Sequence, residues 1–254
     1  RSDAEQFIGG RGLGMKMLWD RLPAPGVDAL SPDNPLMFMT GPFSGFPIPS
    51  ASRVIVVTKS PCTSPAASPY LHASTVSYSN MGGFLGPEIR FAGYDGIVIT
   101  GQAPEPVYLV IDDDAVEIRP AGQYWGMGTD QFDKALIREL EDRRFRTCYI
   151  GPAGENLVPM ACIAHDGRHT RVAGRGGMGA VMGSKKLKAV AVRGTTGVRV
   201  RDPKAFMEAV TVARAKLDPS PVRIQFSESG TMAMMDTANR HGALPTRNCR
   251  DVQF

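Results

Sequence analysis

Asn80-Met-Gly-Gly-Phe-Leu-Gly86 and Ala173-Gly-Arg-Gly-Gly-Met-Gly179 are the two stretches that decide the fold predicted from this sequence. Each contains a Gly-Gly step that follows an apolar strand and a polar loop, opens a short helix and leads into a second strand. The predicted strand, helix and strand cover Arg53–Thr58, Phe84–Ala92 and Gly96–Thr100 around the first step, and Pro159–Ala164, Met178–Lys188 and Ala189–Val192 around the second. The chain therefore contains two related β-loop-α-β halves, which we expect to lie about a pseudo-two-fold axis.

The segments between and beside these halves predict further elements. Two apolar runs, Val107–Ile111 and Ala115–Arg119, flank three aspartates and predict a hairpin. A stripe of apolar residues predicts a helix over Thr129–Arg143, with Thr129 as its N-cap. The segment Ser60–Ser79 is rich in Pro, Ser and Ala without an apolar period, and it predicts a loop.

The pattern changes from strands to helices near residue 200. Asp202 and Pro203 form an N-cap and first helical position, and apolar residues follow at helical spacing. We therefore predict an α+β fold with two parts. A strand-rich cofactor-binding domain covers residues 1–200, and a short helical segment over 202–254 is the truncated start of a helical region.

Composition and charge exclude several classes of protein. Of the 254 residues, 43% are hydrophobic and 21% are charged, which is typical of a globular protein and excludes a disordered tail, a collagen-like fibre and a coiled coil. The sequence has neither an apolar run of about 18 residues nor the layout of a signal peptide, so it predicts a cytoplasmic protein with no membrane partner. A net charge of +4 is too small to predict a nucleic-acid partner.

The four cysteines give no metal motif. None stands in CxxC or CxxxC spacing with another, so the sequence predicts no zinc or iron–sulfur knuckle in this chain. Two of them, Cys148 and Cys162, are predicted to be small buried residues.

The two glycine steps have the properties of anion-binding sites. Glycine lets the backbone approach a ligand closely, and the first turn of a helix offers unpaired N–H groups and a partial positive charge. Arg53 near the first step, with Arg171 and Arg175 before the second, could supply the positive charge. The alternative is that the glycines serve only tight turns and packing. Neither step matches a Walker loop or a dinucleotide-binding fingerprint.

Six segments resemble the aldehyde:ferredoxin oxidoreductase family, and the match runs in order over nearly all of residues 5–248. They are Gly9-Gly-Arg-Gly-Leu-Gly14, Thr40-Gly-Pro42, Thr58-Lys-Ser-Pro61, Gly82-Gly-Phe-Leu-Gly-Pro-Glu-Ile-Arg-Phe-Ala-Gly-Tyr-Asp95, Ile150-Gly-Pro-Ala-Gly-Glu-Asn156 and Ala173-Gly-Arg-Gly-Gly-Met-Gly-Ala-Val-Met-Gly-Ser-Lys185. The resemblance implies a tungsten or molybdenum ion held by two pterins, whose phosphates the N-terminal domain binds together with a bridging Mg²⁺. The sequence departs from the family pattern at its start, because family members usually have a strand pair upstream of the helix that begins here at residue 3, and about one hairpin is missing.

The resemblance implies a set of cofactor-binding positions. These are Arg53, Asn80, Gly82, Gly83, Arg171, Val172, Gly174, Arg175 and Gly176, with the backbone carbonyls of Asn80 and Val172 as Mg²⁺ ligands. Each position has a structural alternative. Asn80 could take a left-handed turn conformation, Arg53 could pair with a nearby acid, and Gly174 could only relieve a turn.

Two functions follow from the resemblance. In the first, the chain is the cofactor-binding part of an enzyme that oxidises a small aldehyde to a carboxylic acid and passes electrons to ferredoxin or a similar protein. The [4Fe–4S] ligands and the catalytic acid–base residues would lie in later domains of the parent protein, which would form a homo-oligomer or a multi-subunit complex. This chain would hold no catalytic residue and would be inactive alone. In the second, the chain is a non-catalytic pterin- or phosphate-binding module, or a structural subunit of a larger redox complex.

Overall fold

The computed structural model describes residues 2–63, 75–165, 167 and 171–254. These residues form two compact units, Arg1–Arg199 and Val200–Phe254. No helix within the described ranges is long and apolar enough to cross a membrane. The described residues of the first unit form two sheets and six α-helices, and the mixture confirms the α+β class.

The first sheet contains four antiparallel strands in the order β3-β2-β1-β4. The strands are β1 (Leu36–Thr40), β2 (Val54–Lys59), β3 (Val76–Met81) and β4 (Gly96–Ile99). Three helices belong to the same part of the chain: α1 (Ser2–Phe7), α2 (Gly10–Arg21) and α3 (Leu85–Phe91).

The second sheet contains six strands in the order β6-β5-β10-β7-β8-β9, with β5 and β10 parallel and the other neighbours antiparallel. The strands are β5 (Val107–Asp112), β6 (Ala115–Pro120), β7 (Arg146–Tyr149), β8 (Ile163–His165), β9 (Arg171–Ala173) and β10 (Leu187–Arg193). The helices here are α4 (Thr129–Leu140), α5 (Pro152–Glu155) and α6 (Met178–Ser184).

The two halves share one chain order and one sheet topology. The run α2-β1-β2-β3-α3-β4 corresponds to α4-β7-β8-β9-α6-β10, with the short α5 as an insertion. The strand order β3-β2-β1-β4 is likewise repeated as β9-β8-β7-β10, with the same antiparallel pairings. Each repeated unit is therefore larger than the predicted β-loop-α-β unit. Among the described residues, β5 and β6 have no counterpart in the first half.

A shared apolar core lies between the two halves. Side chains from both sheets meet there, for example Phe38 and Val56 from the first sheet and Val190 from the second. Both helices that follow the glycine steps contribute, through Leu85 and Met178. Burial of this surface, at about 25 cal/mol per Å², fixes the two halves against each other.

Several boundaries differ from the predictions. Val76–Met81 is a strand, so the predicted loop is wrong at its end, and residues 64–74 of that loop lie outside the described residues. Gly128, not Thr129, is the N-cap of α4. The predicted helix over Met178–Lys188 ends at Ser184, because the strand pairing of β10 begins at Leu187. Cys148 is buried as predicted, whereas Cys162 is exposed.

The second unit is helical, as the sequence predicts. It contains α7 (Pro203–Leu217), α8 (Pro221–Ser229), a 3-10 turn (Gly230–Met234) and α9 (Met235–Arg240). Asp202 caps α7 by accepting a hydrogen bond from Ala205 N at 3.0 Å. Many apolar side chains of this unit are exposed, among them Val222 (62%) and Phe254 (80%).

A groove of about 690 Å³ lies between β4 and strands β5 and β6. Its lining is largely apolar and includes Ile97, Ile99 and Ile118. Lys185 lines the same groove, and its ammonium donates hydrogen bonds to the carbonyls of Gly101 (3.0 Å) and Pro32 (3.3 Å). Burial disfavours the charged form and lowers the pKa of Lys185 to about 8, while Asp33 opposes the shift.

The stability of the protein is expected to depend on pH through Lys185. The unfolded chain, in which this pKa is near 10.5, binds more protons than the folded chain between pH 8 and 10.5. Stability therefore rises with pH across that window. Relative to Lys185→Met, the wild-type free energy of unfolding should increase by about 3 kcal/mol at most between neutral pH and pH ~11. Urea unfolding of both proteins measures this, and a constant difference would contradict the expectation.

Candidate cofactor-binding site

The edge strands of the two halves lead directly into the glycine steps. Asn80 lies in β3 opposite Ile55, and Val172 lies in β9 opposite Ala164. Both Asn80 and Val172 are exposed. Asn80 has no positive φ, so the alternative of a left-handed turn at this position is wrong.

The first step presents an open backbone. A Cβ atom added to Gly82 would meet no atom within 4 Å. Gly83 has φ +91°, a region that side chains rarely adopt. Because Val54 pairs with Met81, Arg53 lies at the end of β2 beside this step. The first step thus combines accessible backbone with an adjacent cation, which is what an anion requires.

The second step is packed more tightly. Gly176 has φ +70°, and an added Cβ would lie 2.7 Å from Ser77 Oγ on the opposite half. Gly177 has φ +66°, and its Cβ would lie 1.9 Å from the carbonyl oxygen of Pro159. At these two glycines the backbone conformation and the packing of the protein therefore require glycine. Gly174, in contrast, is exposed and has no positive φ.

Three arginines at this junction have guanidinium groups without a partner in the described part of the chain. Arg53, Arg171 and Arg175 are exposed, and none of them forms a side-chain hydrogen bond or ion pair with a residue inside the described ranges. The alternative that Arg53 pairs with an acid is thus not found there. Arg171 lies on the edge strand β9 rather than in a loop. Three exposed cations beside the open backbone of Gly82 favour a ligand with several negative charges.

The backbone N–H groups at the N-termini of α3 and α6 are less available to a ligand than the sequence predicts. Both helices have only seven residues. The N–H groups of Phe84 and Leu85 donate to His165 Nε2, each at 3.1 Å, and Gly179 N donates to the carbonyl of Ala161 at 2.9 Å. The predicted free donors are wrong at these positions, because buried backbone N–H groups find partners inside the protein.

Contacts between the halves hold the steps together. Arg175 N donates to Ser79 Oγ at 3.0 Å, which joins the second step to β3. The helix after the first step is fixed by Glu88, whose carboxylate accepts from Gly194 N at 2.9 Å. Burial raises the pKa of Glu88 despite this hydrogen bond. The site is therefore part of a rigid junction.

Sequence reasoning missed three residues of this junction. Arg11 donates to the hydroxyl of Tyr78 at 2.7 Å and lies 4.7 Å from the centroid of its ring, so the first glycine-rich segment contacts β3. His165 joins the halves through the bonds described above. Tyr78 lies on β3, which the sequence did not predict, and the predicted strand over Pro159–Ala164 ends one residue before His165.

The described residues fit an anionic cofactor but hold no cluster of three or more His, Cys, Asp or Glu side chains for a metal ion. The open backbone at Gly82 and the exposed guanidinium groups are the features that fit phosphate. A metal in this part of the chain would need backbone carbonyls or ligands from the cofactor itself.

Comparison with known proteins identifies the family that this chain resembles. Residues 1–194 match the model of the aldehyde ferredoxin oxidoreductase N-terminal domain. Tungsten-containing aldehyde ferredoxin oxidoreductases from Pyrococcus abyssi and Pyrococcus horikoshii are 43% and 41% identical to this chain over 252 residues. Each alignment covers 99% of this chain and 39% of the relative, so the chain spans about two fifths of their length.

Two further matches come from other redox proteins. The WOR-like subunit of an aliphatic sulfonate oxidoreductase from Pyrococcus furiosus is 40% identical over 205 residues, which cover 75% of this chain and 31% of that protein. A solved chain of the active site complex BamBC of benzoyl coenzyme A reductase, in complex with 1,5-dienoyl-CoA, is 41% identical. It superposes with a TM-score of 0.76 over 85% of this chain and 31% of its own.

Proposed function

The chain belongs to the aldehyde ferredoxin oxidoreductase family, and we propose that it holds the tungsten–pterin cofactor of such an enzyme. The main support for the proposal is the geometry at the junction of β3 and β9. There the open backbone of Gly82 lies at the junction of two matched halves. The exposed Arg53, Arg171 and Arg175 beside it have no partner among the described side chains. The names of the curated relatives support tungsten as the metal.

We assign the binding roles as follows. Arg53, Arg171 and Arg175 donate charge-assisted hydrogen bonds to the pterin phosphates. Gly82 and Gly83, with Gly174 and Gly176 of the second half, let the backbone approach the ligand. The carbonyls of Asn80 and Val172 are the proposed Mg²⁺ ligands, since oxygen is the ligand that Mg²⁺ prefers.

The bound cofactor would supply the two-electron chemistry that converts an aldehyde to a carboxylic acid. The residues of this chain bind and orient it. The [4Fe–4S] cluster, the acid–base residues and the surface for ferredoxin or another electron acceptor are proposed for the remainder of the parent protein. The residues that select the substrate would lie in that remainder too.

Metal and pterin analysis of the full-length encoded protein tests this proposal. We expect tungsten by mass spectrometry and pterin by fluorescence after oxidation, at about two pterins for each metal. Protein purified anaerobically from cells supplied with tungstate, yet without pterin, would refute the assignment.

The 254-residue chain alone is expected to show no aldehyde oxidation with viologen or ferredoxin as acceptor. Its described residues include no cluster of three or more His, Cys, Asp or Glu side chains for a metal ion, and the catalytic acid–base residues are proposed for the remainder of the parent protein. The measurement is acceptor reduction by the cofactor-loaded chain, with the full-length protein as positive control. Turnover by the chain alone would contradict the expectation.

A second candidate function is a cofactor-binding subunit within a larger redox complex with another substrate. The match to a WOR-like subunit and to a chain of a benzoyl coenzyme A reductase complex favours it. An intact-mass and subunit analysis of the native protein separates the two. An assembly with other polypeptides that does not oxidise aldehydes would favour this second candidate.

A further inference from the structure

His165 forms a contact between the two halves that the proposed cofactor contacts do not use. It lies on β8 of the second half, and its side chain is fully buried. Its Nε2 lies 3.1 Å from the backbone nitrogens of Phe84 and Leu85, at the start of α3 in the first half. These two residues come directly after Gly82 and Gly83.

The proton on the imidazole can be assigned from these partners. A backbone N–H can only donate, so Nε2 accepts both hydrogen bonds and carries no proton. Nδ1 lies 2.6 Å from the carbonyl oxygen of Thr147 on β7, which can only accept. Nδ1 therefore carries the proton and donates it, and the neutral ring is fixed through both nitrogens.

The contact has a counterpart on the other half. Ser79 Oγ on β3 accepts the hydrogen bond from Arg175 N, immediately before Gly176. Each glycine step is thus joined to a side chain from the opposite half. A ligand that contacts both steps needs them at one fixed separation, which these two contacts set.

We propose that His165 is a positioning residue for the cofactor, which holds the Gly82-Gly83 step where the pterin phosphate is bound. The inference rests on the proposed function, because it assumes that this step receives the cofactor. His165 itself does not touch the ligand. Its effect passes through the backbone of Phe84 and Leu85.

The test compares three variants of the full-length protein. His165→Phe keeps a buried ring but removes the acceptor, whereas His165→Gln supplies a carbonyl oxygen that can accept two N–H donors. Asn34→Leu is the matched control. Asn34 is also buried and bonded to backbone, at the carbonyl of Ala29 and the N–H of Lys59, but at the opposite end of β2 from Arg53.

Three quantities are measured: tungsten and pterin content, the melting temperature of the cofactor-free protein, and hydrogen exchange of residues 82–86. We expect His165→Phe to keep less than about a tenth of the cofactor and to speed exchange at 82–86 at least about tenfold. His165→Gln should keep more than about half of it. Asn34→Leu should lower the melting temperature without loss of cofactor and without faster exchange at residues 82–86.

The outcomes separate the inference from the proposed function. If the wild type holds tungsten and pterin but His165→Phe keeps as much cofactor as Asn34→Leu, His165 is merely structural and the inference is wrong. If His165→Phe does not fold, the cofactor content of His165→Gln tests the inference instead. A folded His165→Gln protein without cofactor would also overturn the inference. A wild type without pterin refutes the proposed function itself.

Discussion

Gly177→Ala is expected to destabilise the protein by about 2–5 kcal/mol. Gly177 has φ +66°, which costs an alanine about 1–2 kcal/mol, and the new Cβ would lie 1.9 Å from the carbonyl oxygen of Pro159. Because that atom is backbone, the segment before β8 would have to move, at a cost of about 1–3 kcal/mol. Urea unfolding of the cofactor-free protein measures the change.

Gly82→Ala is the matched control from the other step. Its Cβ would meet no atom within 4 Å, and its φ is not positive, so stability should change by less than about 1 kcal/mol. The same open space is where the cofactor is proposed to approach, so the cofactor content of Gly82→Ala should fall. Equal stability losses in the two variants would contradict the different roles of the two steps.

Arg171→Ala is expected to lower cofactor affinity strongly with almost no effect on the fold. The side chain is exposed on an edge strand and has no partner among the described residues, so the free energy of unfolding should change by less than about 0.5 kcal/mol. Losing a charge-assisted hydrogen bond to phosphate costs about 1.5–3 kcal/mol, or roughly 10- to 150-fold in affinity. Arg171→Lys should restore only part of the lost affinity, because lysine keeps the charge but cannot form the two parallel hydrogen bonds of a guanidinium.

The measurement is tungsten and pterin content beside the melting temperature of the cofactor-free forms. Cofactor-free forms are compared because a bound ligand raises apparent stability by mass action. Arg138→Ala, at an exposed position of the outer helix α4, is the control and should retain wild-type content. Wild-type cofactor content in Arg171→Ala would show that this arginine does not bind the phosphate. A lower melting temperature of cofactor-free Arg171→Ala than of the cofactor-free wild type would show that the arginine is structural.

The sequence predicted the repeated core of the fold well, because its strongest signals lie there. The β-branched runs that became β2 and β10 are apolar and continuous, and both glycine steps mark the start of a helix. The N-cap at Asp202 follows from side-chain chemistry alone. Local pattern was sufficient for these elements.

The edge strands could not be predicted in this way. Val76–Met81 has polar residues on both faces at Ser77 and Asn80, and Arg171–Ala173 has only three residues, so neither shows a period. Their conformation is fixed by pairing with β2 and β8, which is tertiary information. For the same reason, the sequence could name Asn80 and Val172 only by resemblance. It gave no indication of His165, because the contact of this side chain with Phe84 and Leu85 joins segments 80 residues apart in the chain.

The most direct test of the central claim is a structure of the full-length protein with its cofactor bound. We predict pterin phosphates at the junction of β3 and β9, in contact with Arg171 and the Gly82-Gly83 backbone, with the carbonyls of Asn80 and Val172 on a bridging Mg²⁺. Pterin phosphates bound elsewhere, with this junction facing solvent or packed only against protein, would contradict the account.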